Sequence, residues 1–281
     1  MLSTYARMIK ISHTLFAMPF ALAAAVLAWR IEGFQWLQLL LIVLCMVFAR
    51  SAAMGFNRVV DRDIDAKNPR TAVREIPAGS ISVGAAWAFT AGSALLFALC
   101  AWALSPLCAA LSPIVLVVIC GYSLTKRFTA LCHLFLGLAL ALAPSCAWIA
   151  ITGGLSATPL VLSGIVGTWV AGFDIIYALQ DADFDRDEGL HSIPSALGRK
   201  GALVVSALLH VLTLGGLLAL PLTTELGWPY WPGVVLIAGI LAYEHWIVRP
   251  DDLSRVNQAF FQLNGYVSLA FFAVVLGAIS V

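Results

Sequence analysis

The sequence predicts an all-α membrane protein of about nine transmembrane helices, arranged as two four-helix halves plus one helix around a central cavity. Three observations lead there. Of 281 residues, 61% are hydrophobic and only 11% are charged, and the mean hydropathy of +0.94 excludes a soluble α/β enzyme. The apolar residues fall into runs close to the roughly 17–25 residues a helix needs to cross the hydrocarbon core. The bases are sorted along the chain by side, as the positive-inside rule requires. Alternation of apolar and polar residues is too weak for a β-barrel.

The spans follow in order. The first, 12–29, lacks a signal-peptidase site and is long enough to cross, so it reads as a retained helix. The second, 36–56, runs into an acidic segment. Pro106 separates the third, 82–104, from the fourth, 107–123, and Pro113 lies inside the latter. The fifth is 130–151. The sixth, 159–180, again ends in acids, and 201–221, 230–248 and 262–280 complete the set. With the N-terminus in the cytoplasm, fourteen of the sixteen Lys and Arg residues fall in cytoplasmic segments. Arg30 alone falls outside, and Arg50 lies within a span. This predicts an integral membrane protein with both acidic segments facing the cytoplasm; the resemblance described below adds the expectation of a bacterial inner membrane. The chain, 1–281, reads as a single transmembrane domain whose environment is the lipid bilayer. The net charge of +1 is uninformative, since charge is sorted by side rather than in excess; no nucleic-acid partner is expected, and the six cysteines, without a C-x-x-C pair, read as packing residues.

The chemistry concentrates in two patterns, Asn57-x3-Asp61-x3-Asp65 and Asp181-x3-Asp185. Residues four apart on a helix drift by only about 40°, so each set shares a face. Extending the second backwards adds Asp174 and Tyr177 to its face. Carboxylates crowded on one stripe repel, and a hard divalent cation relieves that repulsion. Mg²⁺ commonly arrives with substrate phosphates. Two such stripes facing each other predict a site for a Mg²⁺-diphosphate at the membrane surface. The recurrence after four helices suggests an internal repeat, a device transporters also use. Loops at about 66–81 and 186–200, broken by Asn68-Pro69, Pro77, Gly79, Gly189 and Pro194, read as lids above the acids.

The stretch Arg50-Ser-Ala-x3-Phe-Asn57-Arg-x2-Asp61-Arg-x2-Asp65, with Pro69-Arg70-Thr71 and Arg74-Glu-Ile-Pro77-Ala-Gly79 after it, resembles the first signature of UbiA-type intramembrane prenyltransferases. Phe173-Asp174-x2-Tyr177-Ala-x2-Asp181-x3-Asp185 resembles the second. Tyr122-x3-Lys126-Arg127-x-Thr129 is similar to the basic loop between them. The resemblance spans nearly the whole chain and implies transfer of a polyprenyl chain from its diphosphate to a small aromatic acid. In that reading Asn57, Asp61, Asp65, Asp181 and Asp185 hold Mg²⁺, and Lys126, Arg127, Arg70 and Tyr122 bind the diphosphate. The aromatic ring then attacks an allylic cation kept away from water.

Asp174 and Arg50 carry two readings. They pair with each other inside the membrane, or Arg50 binds the acceptor's carboxylate or phenolate while Asp174 orients or deprotonates the ring. Tyr177 and His13 complete the expected acceptor side. His13 stands in Lys10-Ile-Ser-His13, where many UbiA-type proteins have Pro-Ile-Gly after the lysine. The stretches His13-Thr-Leu-Phe-Ala17 and Phe173 to Asp181 resemble a bacterial subgroup of 4-hydroxybenzoate polyprenyltransferases and futalosine-route menaquinone prenyltransferases.

Other residues carry plainer expectations. Asp63, Asp183, Asp187 and Glu188 lie off the motif faces and read as solvated acids. His191 sits in an ordinary turn near the second motif. His133, His210 and His245 read as packing residues, and most tryptophans as interfacial anchors. The rival classes are a cation-coupled transporter, whose acids would sit at the midplane of broken helices, and a phospholipid synthase, whose Asp-Gly-x2-Ala-Arg pattern is absent.

Overall fold

The structure is a computed structural model that describes residues 2–8 and 16–280. Its described residues are helical throughout apart from turns and one isolated bridge between Arg249 and Asp252. Short α1 (Leu2–Met8) precedes α2 (Met18–Glu32) and α3 (Trp36–Val60). Short α4 (Arg62–Lys67) is followed by α5 (Val83–Leu104), α6 (Pro106–Thr125), α7 (Cys132–Thr152) and α8 (Ala157–Ala178). Short α9 (Ala182–Asp187) leads to α10 (Ile193–Ala219), α11 (Tyr230–Ile247) and α12 (Asn264–Ile279). Among the described residues, seven helices are long and apolar enough to cross a membrane. Helices α2 and α11 occupy the places of the other two expected spans.

The chain divides into two compact units. One holds α1 and α3–α6, the other α2 and α7–α12. This corrects the expected split after the fourth span, because α2 belongs to the second unit. Packing decides it. The buried face of α2 is Ala-rich (Ala21, Ala24, Ala25, Ala28), which lets it lie close to α7, α8 and α12. Phe20 stacks on Phe271, with centroids 4.4 Å apart.

Small residues set the closest approaches elsewhere too. In the first unit a Cβ at Gly55 of α3 would strike the Thr90 hydroxyl of α5. In the second, Gly137 of α7 lies so near Gly167 of α8 that a Cβ there would strike the Gly167 carbonyl oxygen. With no hydrophobic drive between helices in lipid, such contacts carry the association. Pro106 opens α6, where its missing N–H costs nothing, and the Ser105 hydroxyl accepts from Cys108 N–H at 3.1 Å.

Only part of 186–200 is a loop, contrary to expectation. Gly189 takes φ 68° after α9, Ser192 closes a capping box with Ser195, and α10 begins at Ile193 with a kink at Gly198. Trp36, Trp102, Trp228 and Trp246 are exposed near helix ends, as interfacial anchors are, whereas Trp169 and Trp148 are core residues.

Candidate active site

In the first unit α3 ends at Val60, and Asp61 takes φ −93°, ψ 2° before the chain re-enters helix in α4. Helical hydrogen bonding survives the break. Asp61 N–H donates to Asn57 O at 3.0 Å, and Asp65 N–H to Asp61 O at 2.7 Å. The four-residue spacing therefore keeps its facing. The second unit repeats the construction. After α8 comes one 3₁₀ turn, Leu179–Asp181, then Asp181 at φ −104°, ψ 2°, then α9 carrying Asp185. In both motifs the later aspartate is buried, at 5% for Asp65 and 4% for Asp185. Asp61 is buried and Asp181 half-buried, while Asp63, Asp183, Asp187 and Glu188 are exposed.

Buried carboxylates require partners. In the first unit Arg74 Nη1 lies 2.6 and 2.7 Å from the two oxygens of Asp65. Thr71 Oγ1 donates to Asp65 O, and the Asn68 side chain accepts from Arg70 N–H. These bonds draw the segment after α4 back onto the motif and place Arg70 beside it. Asn57 Nδ2 donates to Asp61 Oδ2 at 2.8 Å, while Arg58 Nη1 reaches Asn57 Oδ1 at 3.4 Å. The amide thus acts as a donor to the motif. Arg50 lies in α3 and Tyr122 in α6, both half-buried.

In the second unit Lys126 Nζ is 3.6 Å from Asp185 Oδ1, an ion pair too long for a hydrogen bond. That buried oxygen has no hydrogen-bond partner among the described residues. His191 N–H donates to Lys126 O at 2.7 Å, which fastens the basic turn to the segment following the motif. Arg127 is half-buried. Tyr177 stacks on Phe260 with centroids 4.1 Å apart, within a cluster that includes Phe173, Phe16 and Trp169. His13 lies outside the described residues.

Asp174 has a partner that the sequence did not suggest: His133, with Nδ1 to Oδ2 at 2.7 Å. His133 is the second residue of α7, and the close packing of α7 on α8 brings it beside the C-terminal half of α8. It is buried and hydrogen-bonded to a residue of the second motif. His210 keeps a packing role, with Nδ1 2.9 Å from His245 Nε2. Two residues at the motifs went unnoticed as site residues, Arg74 and His133. Arg74 stands in the first signature, in Arg74-Glu-Ile-Pro77-Ala-Gly79, but without a role of its own there. Nothing in the spacing of His133 marked it.

Among the described residues no three His, Cys, Asp or Glu side chains come together to hold a metal by themselves. The donors present nevertheless fit Mg²⁺. They are hard carboxylate oxygens, one of them buried without a hydrogen bond. Mg²⁺ characteristically takes one or two carboxylates and completes its shell with phosphate and water.

Residues 17–275 match the UbiA prenyltransferase family. The chain belongs to that family. It is a prenyltransferase and an integral membrane protein, which removes the transporter reading. As a UbiA-family member it is 31% identical over 246 residues to a 4-hydroxybenzoate octaprenyltransferase of Nitrosospira multiformis, covering 87% of this chain and 84% of the relative. An enzyme of the same name from Aliivibrio fischeri is 32% identical over 85% of this chain and 83% of its own length. A UbiA homologue from Aeropyrum pernix, solved without ligand, superposes with a TM-score of 0.85 at 33% identity, covering 95% and 98% of the two chains. Another from Archaeoglobus fulgidus, bound to GPP and Mg²⁺, shares the fold at a TM-score of 0.78 and 21% identity, covering 99% of this chain and 100% of that one.

Proposed function

We propose that this UbiA-family prenyltransferase moves a polyprenyl chain from polyprenyl diphosphate to an aromatic quinone-precursor acid, with Mg²⁺ as the metal. The observation that carries the reading is the duplicated motif. Each unit sets one aspartate at a helix break and buries a second four residues on, beside a base. Asp61, Asp65, Asp181 and Asp185 are the ligands, and Asn57 orients Asp61 through its amide. When bound, Mg²⁺ supplies positive charge that stabilises the diphosphate as a leaving group.

The chain's own residues do the rest. Lys126 and Arg127, with Arg70 and Tyr122, donate to diphosphate oxygens and offset charge as the C–O bond breaks. Arg50 holds the acceptor's carboxylate, and Tyr177 borders the ring. Asp174 takes the ring proton. Lipid-facing helices let the polyprenyl tail remain in the bilayer, and exclusion of water protects the allylic cation from hydrolysis. The names of the bacterial relatives support a 4-hydroxybenzoate-type acceptor in ubiquinone synthesis, and a dihydroxynaphthoate-type acceptor of menaquinone synthesis is the second choice. The sorting of bases supports an inner-membrane location with the acids at the cytoplasmic face.

The test is prenylation by purified protein in lipid, given geranyl diphosphate and Mg²⁺ with each acceptor separately. Product from one acceptor, lost on chelation, is the expected outcome. Product from neither, in protein that still binds the Mg²⁺-diphosphate, would contradict the acceptor class.

A further inference from the structure

His133 is 3% exposed, and its two ring nitrogens tie α7 to two other helices. Nδ1 meets Asp174 Oδ2 of α8 at 2.7 Å. Nε2 lies 3.4 Å from the backbone N–H of Ile193, the first residue of α10. A peptide N–H can only donate, so Nε2 accepts and the ring proton resides on Nδ1. In that tautomer the Nδ1 proton points at the Asp174 carboxylate. Asp174 is 22% exposed at its side chain, and its second oxygen makes no hydrogen bond among the described residues.

We propose that His133 is a positioning residue that aims the open oxygen of Asp174 at the acceptor ring. This rests on the prenyl-transfer reading and names the residue that makes its proton-accepting group work. As the bond from prenyl carbon to diphosphate oxygen breaks, a new bond forms from that carbon to the ring. The ring carbon then loses its proton to Asp174 Oδ1, and the C–H electron pair restores aromaticity. His133 cannot take that proton itself, since Nδ1 already carries one and Nε2 faces a peptide N–H. Its contribution is to fix one oxygen by hydrogen bond and leave the other free. Cys132, its neighbour, extends Sγ to His191 O at 3.5 Å. The same short segment of α7 thereby anchors the chain that follows the second acidic motif.

A purely structural staple and a positioning role make opposite demands on substitution. His133→Asn keeps a donor near the Nδ1 position and loses the Ile193 contact. His133→Gln keeps an acceptor near Nε2 and loses the donor to Asp174. Expected is that the Asn variant retains turnover to within about fivefold, while the Gln and Ala variants lose about 100-fold in kcat, the lower range for a general base. KM for prenyl diphosphate should stay unchanged in all three. If Ala does not fold, Asn and Gln carry the comparison. An Asn variant as slow as Gln, or a Gln variant at full rate, would overturn the proposal. Nitrogen NMR of ring-labelled histidine, assigned by difference with His133→Asn, gives a readout free of activity. Protonated Nδ1 with bare Nε2 is expected, and any other state overturns the proposal even if the wild type prenylates neither acceptor.

Discussion

At the scale of single residues, the acids divide by what surrounds them. Asp61→Asn or Asp181→Asn removes a charge that the proposed function assigns to the metal and should lower turnover by about 100-fold or more, with the melting temperature little changed. Initial rates and thermal melts in lipid check both, and full activity in either variant would remove that residue from the ligand set. Among the described residues, Asp63 has a side chain 78% exposed and pairs with Arg62 at 3.3 Å, a surface contact worth about 0–1 kcal/mol. Asp63→Asn should therefore turn over at the wild-type rate. Lys126→Ala leaves Asp185 without its ion pair and, in the proposed function, the diphosphate without a donor, so KM for the prenyl donor should rise about tenfold or more with acceptor KM unchanged. The facing of these side chains was legible because helical geometry makes spacing a statement about direction. The partnership of Asp174 with His133 was not, since 41 residues separate them and only the packing of α7 on α8 joins them. Arg74 was obscured for a related reason. A base within a turn has no periodicity to declare which acid it will meet.

At the scale of elements, apolar runs located the helices, because in lipid a backbone must satisfy its own hydrogen bonds within each span. What they concealed was how each span ends. Both motif helices break at an aspartate and resume for six residues, a feature with no apolar signal. Helix α10 likewise begins eight residues before its apolar stretch, started by the Ser192 cap and Pro194 rather than by hydrophobicity. Helix contacts allow a sharper test. Gly137→Ala drives a methyl into the Gly167 carbonyl oxygen, a backbone atom that cannot swing aside. Overpacking of this kind costs about 1–3 kcal/mol, and because it prises α7 from α8 it should also disturb the His133–Asp174 contact. A lowered melting temperature with slowed turnover is expected, and an unchanged melt would show that these helices meet less closely.

At the scale of the whole molecule, the repeat seen in sequence and the units seen in structure count different things. The acidic motifs recur after four spans, but α2 packs among the helices of the second unit. Motif spacing records where chemistry is placed; alanine and aromatic faces record which helices touch. Each unit contributes one break-and-burial construction, so the account's central claim is that both serve one metal-dependent transfer. Diphosphate release and prenylated product, measured together in lipid with geranyl diphosphate, 4-hydroxybenzoate and titrated Mg²⁺, test it most directly. Both signals should appear with Mg²⁺, vanish on chelation, and be lost equally in Asp61→Asn and Asp181→Asn. Turnover that persists under chelation, or that survives the loss of either aspartate, would contradict it.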